Sequence, residues 1–223
     1  MGKFPKLGAL IALTALLFTA VGASASDQTD LIAKAAQTAD NMKQDPAFAP
    51  ARDMVARARG MLIIPSLVKG GFIFGAEGGD GVLVAKTGNG WSAPAFYALG
   101  SASFGLQAGL EQTQLVMLLM SDKAVRAIEE GNFKFGAGAG LTVVSLSGGA
   151  EAATSANLSG DIIVWSSGKG LYGGLTLNGS VIKPRDEWNT AFYGRPVSVP
   201  MILAGGVRNP SADVLRQRLA SLR

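Results

Sequence analysis

Histidine and cysteine are both absent from the 223 residues, and this limits the chemistry open to the other polar side chains. Without imidazole or thiolate, zinc sites and Ser-His-Asp catalysis are excluded. Ser101, Ser103, Ser145 and Ser147 could act as nucleophiles only with a lysine base, and no spacing pairs one with them. No G-x-S-x-G elbow occurs. The carboxylates Glu77, Asp80, Glu111, Glu151 and Asp161 are scattered, and no run alternates acids with Gly as a calcium loop does. The expectation is a protein without enzymatic activity, metal or cofactor. A hydrolase working without His is the catalytic alternative.

Gly168-Lys169-Gly170-Leu171-Tyr172-Gly173 fits the dinucleotide pattern G-x-G-x-x-G. That chemistry needs a helix after the glycines, its N-terminus facing the pyrophosphate. Here Leu171, Gly173, Leu175 and Leu177 alternate as a strand would, so the glycines read as a turn. The cations are more suggestive. Arg52, Arg57, Arg59 and Lys69 flank the first strand, and Lys169 lies on the late turn. If those ends converge, they make a cationic rim able to hold phosphate head groups. No Lys/Arg run points to nucleic acid.

The elements that must position these residues begin after a leader. Lys3 and Lys6 precede an apolar run from Leu7 to Val21, and Ala23-Ser24-Ala25 is a small-x-small cleavage site. This predicts a secretory signal over residues 1–25, cut after Ala25, and a periplasmic or secreted protein. The remaining residues 26–223 read as one domain with a net charge of +2. Helical spacing predicts a helix from Ser26 to about Lys43 and another from Pro50 to Arg59. Met61–Ile64 reads as a short buried strand ended by Pro65. Gly71–Glu77 and Gly81–Lys86 read as two strands turning at Gly78-Gly79-Asp80, with a second turn at Thr87–Gly90. Alternation runs over Ala95–Glu111 and from Phe133 to Ser145, and Leu115–Met120 is apolar throughout. Short helices are expected at Lys123–Glu130 and Glu187–Tyr193, strands at Asp161–Trp165 and Leu171–Lys183, and a terminal helix from Pro210. The class is therefore α+β. It is a single compact domain, mostly an antiparallel Gly-rich sheet or sandwich, with N-terminal helices, one short middle helix and a C-terminal helix. Gly-rich strands behind a leader also allow a small outer-membrane β-barrel as an alternative.

An ordered set of motifs resembles the SYLF domain family. It comprises Ala58-Arg59-Gly60 with Ile63-Ile64-Pro65, then Lys69-Gly70-Gly71-Phe72, Gly79-Asp80-Gly81-Val82 and Trp91-Ser92-Ala93-Pro94-Ala95-Phe96. Gly105-Leu106-Gln107-Ala108-Gly109, Ser167 to Gly174, Leu177-Asn178-Gly179-Ser180 and Ala191-Phe192-Tyr193-Gly194 follow in the family's order. The resemblance implies a compact domain that binds phospholipid through basic surface residues and an N-terminal helix, with some eukaryotic members also bundling actin. Lys69 and Lys169 lie inside matching motifs, and Arg59 stands where the family usually has Lys. Arg52 and Arg57 rest on the rim argument alone. Export argues for an anionic envelope phospholipid or membrane surface as partner and against actin.

Overall fold

The computed structural model describes residues 25–71, 74–104, 109–131, 133–135, 140–146, 159–167 and 179–222. Helix α1 (Ala25–Gln44) buries Leu31, Ile32, Ala35, Ala36, Ala39 and Met42, the stripe its spacing predicts. Asp45 stops it and accepts from the amide of Ala47, opening a 3-10 turn at Pro46–Ala51. The second helix, α2 (Arg52–Arg57), is shorter than expected, because Ala58 is already extended at ψ 138°.

Strand β1 (Gly60–Gly71) runs straight through the proline expected to end it. Its register against both neighbours shifts between Ile63 and Val68, a bulge at Pro65-Ser66 that absorbs the missing amide. Strand β2 (Phe74–Thr87) likewise passes through Gly78-Gly79-Asp80 without turning. Gly79, and Gly81 beyond it, serve close approach instead. A Cβ on Gly79 would lie 2.5 Å from the Ser66 carbonyl oxygen, and one on Gly81 2.7 Å from that of Ile63. The predicted turn at Thr87–Gly90 does form, with Gly90 at φ 103°, and it pairs Lys86 with Trp91 of β3 (Gly90–Trp91).

The expected long alternating strand is two strands, β4 (Ala95–Phe104) and β5 (Gly109–Leu119), on opposite sides of the β1–β2 pair. Phe133–Ser145 also divides, into β6 (Phe133–Lys134) and β7 (Val143–Leu146) at the two edges of the sheet. Between β5 and β6, Ser121 caps α3 (Asp122–Glu129) through the Ala124 amide. Then come β8 (Ile162–Ser166), β9 (Val181–Pro184), α4 (Asp186–Tyr193), an unanticipated α5 (Val199–Leu203) and α6 (Asp213–Ala220).

The sheet order is β6-β9-β4-β2-β1-β5-β8-β7, with β3 paired to β2 off that path. Every pairing is antiparallel except β7 with β8. Met61, Ile63, Val82, Val84, Val116 and Ile163 face a core under α1, α4 and α6. Leu62, Ile64, Leu83, Leu115, Met117 and Ile162 face a second core with α3 and α5. Of the run Leu115–Met120, whose unbroken apolar character points to burial on both faces, Leu115 to Leu119 are buried and Met120 is half-buried. The protein is one compact α+β domain, a curled, mostly antiparallel sheet with helices on both faces. Helical cover buries both faces of Met61–Ile64, Val82–Val84 and Leu115–Leu119, unlike the outward apolar band that membrane barrel strands present.

Candidate functional site

The residues that make the sequence distinctive act first on the backbone. Ser92 Oγ accepts from the Ala85 amide at 3.0 Å and donates to the Ala93 carbonyl at 2.8 Å. Tyr193 donates its hydroxyl to the Pro94 carbonyl at 2.7 Å. Asn189, fully buried on α4, accepts from the Phe96 amide at 2.8 Å, and its own amide nitrogen lies 3.5 Å from the Phe96 carbonyl oxygen. Arg185 pairs with Asp80 and stacks over Trp188 at 4.1 Å. Burial pushes the Tyr193 phenol well above its usual range. It does the same for Tyr97, helped by the charges of Glu129 and Asp186. Both phenols stay protonated and serve as donors.

Of the scattered carboxylates, Asp80, Asp161 and Glu77 are engaged in the framework. Asp161 accepts from the Ser121 hydroxyl at 2.6 Å and the Thr142 amide at 3.0 Å, and these bonds hold its pKa below the ordinary value. Glu77 is buried and lies 3.9 Å from Lys69 Nζ. Among the described residues no group of three His, Cys, Asp or Glu could hold a metal ion.

The candidate cations separate. Arg52 and Arg57 are exposed on α2, and Arg59 is exposed opposite Asp122 at 3.8 Å. Lys69 lies at the far end of β1, nine residues from Gly60, roughly 30 Å away at the rise of a strand. There its backbone sits in register with Glu77 on one side and Glu111 on the other, and its ammonium faces the Glu77 carboxylate. Lys169 lies outside the described residues. Arg52 and Arg57 share α2 and Arg59 follows two residues on, whereas Lys69 stands apart from all three.

Another cation, Lys86, meets α2, and two more gather beyond it at Trp91. Lys86 donates to the Ala56 carbonyl at 2.9 Å, at the C-terminal end of α2, and sits 5.1 Å from the centre of the Trp91 ring. On the same tryptophan's backbone, Arg216 Nε donates to the Trp91 carbonyl at 2.8 Å. Arg216 and Arg208 both face Asp213, at 3.0 and 3.6 Å. These two arginines and Trp91 line a groove of about 260 Å³ with Asn89, Gly90, Asp213, Gln217 and Ala220. Sequence reasoning passed over Lys86, Arg208 and Arg216. Only Lys86 carried a signal, its place opposite Trp91 across the Thr87–Gly90 turn.

Residues 100–222 match the Ysc84 family model, described as "Las17-binding protein actin regulator". The chain is similar to Protein YSC84 of Saccharomyces cerevisiae, 39% identical over 173 residues, which cover 75% of this chain and 37% of that protein. It is 38% identical to LAS seventeen-binding protein 3 of the same species over 164 residues, 72% of this chain and 36% of the relative. SH3 domain-containing YSC84-like protein 1 of Homo sapiens is 32% identical over 160 residues, covering 71% and 46%. The chain thus spans less than half the length of these relatives. The argument against actin is overturned, since the matched family is described by its actin regulation and a matched relative is named for binding Las17. The motif order, the fold and the family match lead to one conclusion: the chain belongs to the Ysc84 family, the SYLF domain family that its motifs resemble.

Proposed function

We propose that this chain is a binding domain without catalytic activity that docks on anionic phospholipid through the basic edge formed by α2 and the start of β1. The observation that carries this reading is the exposure of Arg52, Arg57 and Arg59 on consecutive short elements, with the Lys86 ammonium at the end of the same helix. A juxtaposed cation contributes on the order of 1 kcal/mol at an anionic surface. Three together give salt-sensitive attachment. We place the protein in the periplasm or outside the cell, its leader removed after Ala25, which N-terminal sequencing of the mature chain checks.

The test is cosedimentation with vesicles of phosphatidylglycerol in phosphatidylcholine. Binding should weaken at high salt, and the triple variant R52E/R57E/R59E should lose at least about tenfold in affinity. Equal binding to pure phosphatidylcholine, indifferent to salt, overturns the reading. A second reading, contact with actin or with a Las17-like regulator, is favoured by the family match over residues 100–222. Cosedimentation with actin filaments tests it.

A further inference from the structure

The groove between the Thr87–Gly90 turn and α6 has features that framework packing does not require. Its lining holds two guanidinium groups and one carboxylate, a net charge of +1. Arg216 is fixed before any ligand arrives: Nε is held by the Trp91 carbonyl and Nη1 by Asp213. Its second terminal nitrogen has no protein partner among the described residues. Arg208, three-quarters exposed, reaches the far oxygen of Asp213 and no other carboxylate among the described residues. Asn89 and Gln217 add neutral amides at the walls. A planar fork held in place beside a polar wall suits a tetrahedral oxyanion, because Arg216 has little side-chain entropy left to lose on binding.

We infer that this groove is a binding site for a phosphate ester, with Arg216 as the fixed fork and Arg208 as the mobile one. For a lipid head group as the source of the phosphate, the inference rests on the reading proposed above. The groove itself recognises only the phosphate. Arg208 would swing from Asp213 onto the ligand, while Arg216 stays where Trp91 holds it.

The experiment uses the mature protein labelled with 15N and titrated with glycerol 3-phosphate and, separately, with vesicles containing phosphatidylglycerol. Glycerol 3-phosphate should shift the Arg216 Nε–H and Gly90 amide resonances saturably. Arg208→Glu and, independently, Gln217→Glu should weaken that response at least tenfold. Both residues are exposed, so the fold should survive, and unchanged resonances in the second core confirm that it has. R52E/R57E/R59E should leave the soluble response intact. Vesicle binding that is lost in R208E as well as in the α2 variant supports the groove as a head-group site. A shift with glycerol 3-phosphate but no vesicle binding keeps the phosphate site and refutes the lipid reading. Vesicle binding that depends on the α2 arginines, with no groove shift and no effect of R208E, overturns this inference and leaves the lipid reading standing.

Discussion

Asn189 is a side chain of few atoms with a large share in the fold. Its amide brackets the backbone of Phe96 from within the core, satisfying the Phe96 N–H where water cannot reach. Asn189→Ala strands that donor, and a buried group left unpaired costs about 1–3 kcal/mol. A fall in melting temperature of about 3–10 °C is expected, readable by circular dichroism. Nothing in the sequence singled this residue out, because an Asn in a short helix looks like any surface position until the strand beneath it is known. The aromatic neighbours were more legible: Trp188 and Phe192 were expected on this helix, and both pack edge-on against Phe96.

At the level of elements, the β1 bulge and the glycines of β2 are one device. The chain spends an extra residue at Pro65-Ser66, and β2 removes side chains where the bulge presses on it. Gly81→Ala would drive a methyl group into the Ile63 carbonyl and should destabilise the domain by about 1–3 kcal/mol, measured by urea unfolding. Sequence reasoning took Gly79, which meets the Ser66 carbonyl, for part of a turn and Gly81 for the start of a strand. The composition of a turn and that of a close backbone approach are identical, and only pairing tells them apart. Asp161 couples three other elements, α3, β7 and β8. Its folded pKa is depressed below the unfolded value of about 3.9. Its stabilisation is therefore complete above that value and is lost as pH falls through the lower folded one. Asp161→Asn should flatten the decline in stability below about pH 4, as seen in urea midpoints across that range.

Over the whole molecule, the α+β class, the terminal helices and the doubly buried strands could be read in advance, because apolar periodicity reports burial directly. The assignment of strands to neighbours could not. Ala95–Glu111 alternates without interruption, yet β4 and β5 lie on either side of the central pair. The candidate site suffered for the same reason. Lys69 looked adjacent to the arginines in sequence and stands a strand's length away, whereas Lys86 and Arg216 converge on Trp91 from distant segments. Helix α1 has its apolar stripe committed to the first core, so membrane contact should leave it in place. Hydrogen exchange should show α1 amides equally protected with and without anionic vesicles. Loss of protection there would mean that the helix detaches to insert.

The three tryptophans share one circumstance: each lies against a formal charge. Trp91 has the Lys86 ammonium near its ring, Trp165 donates its indole N–H to Asp45 at 2.9 Å, and Trp188 lies beneath the Arg185 guanidinium. An indole's excited state is more polar than its ground state, so each emits at a wavelength set by its own local field. Trp165 and Trp188 sit by ion and hydrogen-bond partners within the framework, while Trp91 lines the groove. The protein therefore carries a native optical probe beside the groove that Arg208 and Arg216 line, with two internal references against which a change in colour can be read.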